Sequence, residues 1–272
     1  MAAFAVALLP AALLAACAGL GRTDGAKLAA DAGWRWEILS AGAFDLAAAV
    51  APQPGDGTLA VYIEGDGLAY IHRDRPALDP TPTDPVALRM ALADRSAAAV
   101  AWLGRPCQYT MPANGQGCRT AFWTIDRYAP EVVESAGAAI DRLKRETGAN
   151  RVVLIGYSGG GVVAMLLAAR RSDVERVVTV VANLDLAYWT RRDGLAPLSG
   201  SLDPAAEAER LGHVVQVHFT GADDHTVGTD VARAYLAHLP PGAPARLIEV
   251  PGFTHVCCWA RDWPKLEARL GW

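Results

Sequence analysis

Short apolar runs alternate with segments of helical periodicity over most of this chain, and the alternation limits the folds open to it. Residues 58–63 and 151–155 are almost entirely apolar, as is typical of parallel strands buried on both faces. Between them, the apolar residues of 126–147 recur at the spacing of one helix face. Strands that alternate with helices predict a doubly wound, mostly parallel sheet with helices on both faces.

Length and composition fit a single α/β domain. The chain has 272 residues, of which 52% are apolar and 20% are charged, as in a globular protein with a large core. No repeat and no linker divides residues 33–272, so we predict one domain there. The net charge of −4 gives no reason to expect nucleic acid as a partner, and a small-molecule substrate is the partner that we expect.

The first 20 residues differ from the rest because they carry no charge and are mostly Ala and Leu. Their apolar part is shorter than the roughly 20 residues of a membrane span and fits the core of a signal peptide. It ends on Leu14-Ala15-Ala16-Cys17, which resembles the lipobox of bacterial lipoproteins. That resemblance implies cleavage before Cys17 and a lipid on its thiol, although no Lys or Arg precedes the apolar core as a signal peptide requires.

We therefore predict a signal peptide at 1–17, a tether at 18–32 and a catalytic domain at 33–272. The location expected is the bacterial cell envelope, with the protein anchored by lipid and facing the periplasm. A secreted or periplasmic protein with a plain cleaved signal, or an N-terminal membrane anchor, is the alternative.

The remaining four cysteines fit an oxidising compartment. Cys107 and Cys118 flank a stretch rich in Pro, Asn, Gly and Gln, which is typical of a surface loop. We predict a disulfide between them. The adjacent Cys257 and Cys258 are interpreted either as a vicinal disulfide or as two small buried thiols.

Gly156-Tyr157-Ser158-Gly159-Gly160 stands between the predicted strand at 151–155 and a predicted helix at 159–171. A nucleophile on a sharp strand-to-helix turn needs glycine two residues away on either side, because side chains there would collide with the strand or the helix. The turn also places a helix N-terminus beneath developing negative charge. A phosphate-binding turn is the alternative, but no Lys stands where a P-loop requires it. We predict that Ser158 is a nucleophile.

A nucleophilic serine needs a base, and His255 is the best placed of the six histidines because its Gly-bearing loop follows the last predicted strand, 245–250. The base in turn needs a carboxylate that orients it. Asp224, in the loop after the predicted strand at 213–220, is our choice. Asp223 competes with it because the register of a loop is not fixed by the sequence, and Asp185 is a more distant candidate.

The order Ser158, Asp224, His255 in these contexts resembles the α/β-hydrolase superfamily over residues 34–272. The resemblance implies an eight-stranded, mostly parallel sheet whose first two strands are antiparallel. It also implies an oxyanion hole of two backbone N–H groups, one of them from Gly159.

The second N–H group should come from Glu64-Gly65-Asp66-Gly67, where many members of the superfamily carry His-Gly instead. By position we assign it to Asp66, with Gly67 as the alternative. A negative Asp66 side chain facing the oxyanion would oppose catalysis. We therefore expect that side chain to turn away or to be bound by other groups.

These residues predict an exported serine hydrolase that cleaves a carboxylic ester through an acyl-enzyme, without a metal or an organic cofactor. The alternatives are a serine aminopeptidase or acyltransferase on the same fold, or a non-catalytic envelope binding protein. A zinc site at His255, Cys257 and Cys258 is disfavoured because adjacent cysteines chelate poorly. Tyr188 and Trp189 form either part of a small cap over the pocket or surface packing.

Overall fold

An eight-stranded sheet forms the centre of the computed structural model, which describes residues 21–96, 98–110 and 117–271. Eight strands belong to this sheet, and two short ones form a separate hairpin. The strands are β1 (Arg35–Ala41), β2 (Phe44–Val50), β3 (Thr58–Ile63), β4 (Tyr70–His72), β5 (Arg75–Pro76), β6 (Ala99–Leu103), β7 (Arg151–Tyr157), β8 (Val174–Val180), β9 (Val215–Gly221) and β10 (Ala245–Val250).

The strand order in the large sheet is β1-β2-β6-β3-β7-β8-β9-β10. β2 runs antiparallel to both of its neighbours, whereas β6, β3, β7, β8, β9 and β10 are mutually parallel. The predicted fold class, an α/β-hydrolase sheet of eight mostly parallel strands with an antiparallel first pair, is therefore confirmed.

Helices cover both faces of the sheet, which explains why its central strands are apolar without alternation. All six residues of β3 are buried. Leu59, Val61 and Ile63 contribute to one hydrophobic cluster and Ala60 and Tyr62 to the other, because successive side chains of a strand point to opposite faces.

The helices divide between these two clusters. Residues of the helices at 130–147 and 159–168 belong to the first cluster, and residues of the helices at 86–92 and 259–267 belong to the second. The α-helices are α1 (Gly25–Asp31), α2 (Val86–Leu92), α3 (Pro130–Thr147), α4 (Gly159–Ala168), α5 (Leu186–Arg192), α6 (Ala208–Leu211), α7 (Thr229–Leu236) and α8 (Trp259–Glu267).

The tether predicted at 18–32 needs correction, because its described part lies on the domain. Residues 25–31 form α1, whose first turn is capped by the Asp24 carboxylate accepting a hydrogen bond from Lys27 N at 3.1 Å. Ala29 is fully buried against the second cluster. The cap and the buried alanine give this segment the hydrogen bonds and the apolar contact that a free tether lacks.

The predicted signal peptide and its Cys17 lie outside the described residues. Among the helices described, none is long and apolar enough to cross a membrane.

Candidate active site

Ser158 occupies the turn between β7 and α4, as the sequence predicts. Its backbone angles are φ 49° and ψ −124°, a combination that L-residues rarely adopt. Its N–H donates to Val180 O at 2.8 Å, which ties the turn to the neighbouring strand β8. The strain is therefore held by the surrounding sheet, and the side chain is presented at the carboxyl edge of the strands.

The two flanking glycines leave no room for a side chain. A Cβ on Gly156 would lie 2.3 Å from Gly160 O, and a Cβ on Gly160 would lie 2.1 Å from Ile63 O. Both distances are far below van der Waals contact, and the atoms met are backbone atoms. The sharp turn around Ser158 consequently requires glycine at both positions.

The structure brings Ser158, His255 and Asp224 into one hydrogen-bonded chain. His255 Nε2 lies 3.0 Å from Ser158 Oγ, and His255 Nδ1 lies 2.9 Å from Asp224 Oδ2. The three side chains come from loops that follow β7, β10 and β9. These loops meet because the parallel strands end at the same edge of the sheet.

Asp224, not Asp223, contacts the histidine. The Asp224 side chain is 1% exposed, and its Oδ1 accepts hydrogen bonds from Thr226 N and Val227 N. Burial favours protonation of Asp224, but the hydrogen bond and the charge of His255 outweigh it and hold the pKa of that carboxyl below its usual value. Asp223 is exposed, and Asp185 instead caps α5 and contacts His238 at 3.1 Å.

The loop after β3 brings Asp66 next to Gly159, and a Cβ on Gly159 would lie 2.0 Å from Asp66 Oδ1. Across the described part of the chain, neither the Asp66 N–H nor the Gly159 N–H donates to a protein acceptor. Both N–H groups therefore remain available for a ligand oxygen. The oxyanion hole at Gly159 and Asp66 stays a prediction, with Gly67 as the alternative donor.

Two arginines and a tyrosine bind the Asp66 side chain. Arg127 Nη1 donates to Oδ2 at 2.8 Å, Arg105 Nη1 donates to Oδ1 at 3.2 Å, and the Tyr128 hydroxyl donates to Oδ2 at 2.8 Å. Burial favours protonation, but the guanidinium groups of Arg127 and Arg105 outweigh it and hold the pKa of the Asp66 carboxyl below its usual value. We call these four residues the Asp66 cluster.

A cavity of about 240 Å³ opens beside the serine and the histidine. It lies at the carboxyl edge of the sheet, where open α/β sheets bind their ligands. The lining residues are Glu64, Gly65, Asp66, Gly67, Leu68, Pro82, Thr83, Asp84, Val86, Tyr157, Ser158, His255 and Val256.

A larger cavity, of about 520 Å³, opens at the opposite edge, near the amino ends of β3, β7 and β8. Its lining includes the exposed ion pair of Arg151 with Glu175, and none of the three residues of the hydrogen-bonded chain. Size alone would favour it, but the smaller cavity contains the side chains with a recognisable chemistry.

The sequence also matches a known family. The model of the dienelactone hydrolase family matches residues 91–256, which is more than half of the chain and includes Ser158, Asp224 and His255. The chain belongs to the dienelactone hydrolase family. The protein is therefore a hydrolase of the α/β-hydrolase superfamily. A search of curated protein sequences gave no significant match.

Solved structures share this fold at low identity. A serine hydrolase without a lid from Xanthomonas campestris has 14% identity and a TM-score of 0.56, with 87% of this chain and 91% of that chain covered. An esterase from Pyrococcus furiosus has 12% identity and a TM-score of 0.61, with coverages of 89% and 90%. Est1E from Butyrivibrio proteoclasticus has 12% identity and a TM-score of 0.58, with coverages of 86% and 95%. These likenesses concern the fold alone.

Tyr157 contributes to the site in a way that the sequence does not reveal. Its hydroxyl donates to the backbone carbonyl of His255 at 2.9 Å, so the residue before the serine holds the loop that carries the histidine. The side chain points from the turn between β7 and α4 toward a loop almost a hundred positions later in the chain. A contact of this kind has no periodicity or spacing that would predict it.

Glu64 is a second residue whose role sequence reasoning missed. It is 1% exposed, and its carboxylate accepts hydrogen bonds from Gly65 N, Ala87 N, Leu88 N and Trp102 Nε1. Burial raises the pKa of the Glu64 carboxyl to about 7, against the effect of these N–H donors. The sequence does contain a signal for this role, because Glu64 directly follows a buried strand. An acid at such a position is itself buried, and a buried carboxylate needs hydrogen-bond donors.

The four cysteines that the structure describes form two disulfides. Cys107 and Cys118 form the predicted disulfide, and Cys257 and Cys258 are bonded to each other across a cis peptide. The latter pair therefore offers no free thiolate beside His255. Within the described ranges, no group of three or more His, Cys, Asp or Glu side chains is arranged to hold a metal ion.

Tyr188 and Trp189 do not line the cavity, which favours surface packing over a cap. The Tyr188 hydroxyl donates to Asp230 Oδ2 at 3.0 Å, and Trp189 Nε1 donates to Thr226 O at 3.1 Å. Both side chains thus hold α5 against α7 and the segment before it.

Substitution of Gly160 by alanine tests the steric requirement of the turn. The added Cβ would push Ile63 O and Glu64 O, so we expect Gly160→Ala to lower the free energy of unfolding by about 1–3 kcal/mol. Gly137→Ala is the control, because the nearest atom to its Cβ is Leu167 Cδ2 at 3.4 Å and alanine is the better helix former. Urea unfolding measures both, and a Gly160→Ala variant as stable as the wild type would contradict the requirement.

Replacement of Asp66 tests the charge balance of its cluster. Asp66→Asn leaves two buried guanidinium groups without their anion, so we expect a loss of about 3–5 kcal/mol at pH 7. The pKa of this carboxyl is lower in the folded state than in the unfolded state. Its contribution is therefore fully present above the unfolded-state pKa of about 4 and is lost as the pH falls through the folded-state pKa.

The difference in unfolding free energy between wild type and Asp66→Asn should accordingly shrink as the pH falls below about 4. Denaturant titrations over a series of pH values measure it. Asp31→Asn, which removes an exposed carboxylate paired with Lys27, should change stability by less than about 1 kcal/mol at every pH. A difference in unfolding free energy between wild type and Asp66→Asn that stays constant or increases in acid would contradict the lowered pKa of the Asp66 carboxyl.

Proposed function

We propose that the protein is a serine hydrolase that cleaves a carboxylic ester. The observation that carries the proposal is the hydrogen-bonded chain Ser158–His255–Asp224 beside a cavity. A hydroxyl within 3.0 Å of an imidazole nitrogen, whose other nitrogen contacts a buried carboxylate, is the arrangement that makes serine nucleophilic.

In the proposed reaction, Ser158 Oγ attacks the ester carbonyl while His255 Nε2 takes its proton. Asp224 holds the imidazole in the tautomer with the proton on Nδ1 and stabilises its cation. The tetrahedral oxyanion is bound by the N–H groups of Gly159 and Asp66, each worth on the order of 3 kcal/mol in the transition state.

Collapse of this intermediate expels the alcohol, which receives its proton from His255 and leaves an acyl group on Ser158 Oγ. Water, deprotonated by the same imidazole, then attacks the acyl carbonyl and releases the acid. Serine regains its proton from the imidazole, so the cycle is balanced.

The chemistry named by the relatives supports an ester as the bond cleaved. The family takes its name from a dienelactone hydrolase, and a lactone is a cyclic carboxylic ester. A structural neighbour from Pyrococcus furiosus is described as an esterase. The cavity volume of about 240 Å³ lies below the usual range for drug-sized ligands, which favours small acyl groups.

Export to the bacterial cell envelope, with a lipid on Cys17, is part of the same proposal. Two disulfides in the described residues support an oxidising compartment, because cytosolic thiols are kept reduced. Metabolic labelling with a radioactive fatty acid tests the lipid, since Cys17→Ser should abolish incorporation.

A fluorophosphonate probe tests the nucleophile. We expect the folded full chain to be labelled at Ser158 and the Ser158→Ala variant to remain unlabelled. The variant should also lose about 10⁴-fold or more in kcat on p-nitrophenyl esters, because it loses the nucleophile itself. Ser172→Ala, at an exposed serine, is the matched control and should behave as the wild type.

Folded wild-type protein that gives no adduct would overturn the enzymatic proposal and favour a non-catalytic binding protein. Faster cleavage of aminoacyl-anilides than of short p-nitrophenyl esters would leave the serine mechanism but overturn the ester as its substrate. Both outcomes are read from the same protein preparation.

Paired substitutions test the orienting acid. Asp224→Asn should lower kcat on the order of 10³–10⁴-fold, because the amide stabilises the wrong tautomer of His255. Asp223→Asn changes an exposed neighbour and should leave kcat close to that of the wild type. If only the Asp223 variant loses activity, the role of Asp224 is wrong.

A further inference from the structure

The β4–β5 hairpin and the residues after it expose more apolar surface than a soluble loop needs. The exposed fractions are 37% for Tyr70, 44% for Ile71 and 90% for Leu78. These three side chains lie on a short segment that connects β3 to α2. We call residues 70–78 the hairpin surface.

Cations accompany the apolar side chains. Arg73 and Arg75 are exposed, and neither forms an ion pair with any residue that the structure describes. Asp74 stands between them, so the tip carries a net positive charge before His72 is counted. Exposed aliphatic and aromatic side chains combined with free arginines suit an anionic lipid surface, where the arginines meet phosphates and the apolar groups enter the interface.

The β4–β5 hairpin is continuous with residues that line the cavity. Leu68 N donates to Pro80 O at 2.9 Å and Ala77 N donates to Ala69 O at 3.0 Å, which continues the pairing of β4 with β5 back to the loop after β3. Leu68 and Pro82 line the cavity beside Ser158. The hairpin surface and the cavity mouth are therefore two ends of one short ladder.

The N-terminal segment reaches the domain at this same place. Arg22 forms an ion pair with Asp79, the residue after Leu78, and Thr23 N donates to Thr83 O at 2.8 Å. Thr83 also lines the cavity. Because Arg22 lies five positions after Cys17, a lipid on Cys17 would lie within about 17 Å of Arg22 even with the chain fully extended.

We propose that the hairpin surface binds an anionic phospholipid bilayer and brings the cavity mouth close to the membrane. The short distance between the membrane and Arg22 rests on the proposed lipidation of Cys17, whereas the exposure and charge of the hairpin surface do not. The inference is independent of hydrolysis by Ser158.

The test measures vesicle binding of the unlipidated full chain, which carries Cys17→Ser in every variant. Flotation with vesicles of phosphatidylglycerol and phosphatidylcholine is compared with flotation on phosphatidylcholine alone. We expect Leu78→Asp combined with Ile71→Asp to weaken binding to the anionic vesicles at least about tenfold. Leu195→Asp is the matched control, at a leucine that is 38% exposed elsewhere on the domain, and should bind as the parent chain does.

Arg73→Gln combined with Arg75→Gln should weaken binding to anionic vesicles but not to phosphatidylcholine, and added salt should reproduce that loss. Unfolding curves and soluble-ester hydrolysis, which none of these exposed side chains should alter, show that the variants are folded.

Equal binding of the hairpin variants and Leu195→Asp would overturn the proposal. So would sedimentation showing a dimer that Leu78→Asp dissociates while vesicle binding stays unchanged, because the hairpin surface would then be covered by a second copy of the chain. Failure of fatty-acid labelling at Cys17 would contradict the lipid anchor and leave the vesicle result standing on its own.

Discussion

The close approach of the turn after β7 to the end of β3 is the constraint on which the site depends. Gly160 lies so near Ile63 O that no side chain fits between them, and this contact fixes the height of Ser158 above the sheet. The same contact places the loop after β3 beside Gly159. The proposed nucleophile and the proposed oxyanion donors are therefore positioned by a single packing requirement between the neighbouring parallel strands β3 and β7. The histidine and its acid need only reach the same edge, which loops after β9 and β10 do.

The Asp66 cluster explains how an acid is tolerated at the place where we propose that an oxyanion forms. An isolated carboxylate beside Gly159 would repel developing negative charge through a medium of low dielectric. Here two guanidinium groups and one carboxylate leave an excess of one positive charge, and the Tyr128 hydroxyl occupies a further lone pair of the acid. The electrostatic field at the proposed oxyanion would then come from a cluster with net positive charge. The negative charge that replaces the His-Gly of many α/β hydrolases is thus balanced by residues of the segment between β6 and α3.

The sequence predicted the features that depend on residues close together in the chain, and it missed contacts between residues far apart in the chain. The alternation of strands and helices and the glycines around Ser158 are local patterns, and they led to the sheet and the elbow. His255 and Asp224 were identifiable because parallel strands bring successive loops to one edge. Arg105 and Arg127 were not identifiable as partners of Asp66, because no spacing links residues 39 and 61 positions away. The helix at 25–31 falls in the polar stretch that predicts a tether, although Asp24 is a good N-cap.

That correction changes the mechanics of attachment. A free tether through residue 32 would let the domain rotate at a distance from the membrane, whereas docking of residues 22–32 leaves only four residues between Cys17 and Arg22. With the proposed lipid on Cys17, so short a segment would restrict the orientation of the domain, because the Arg22–Asp79 ion pair would remain near the membrane. The face held closest to the membrane would then be the one that carries Leu78 and the mouth of the cavity. The proposed anchoring would consequently be coupled to access to the cavity, since the same loop between β3 and α2 carries the exposed apolar side chains and lines the cavity.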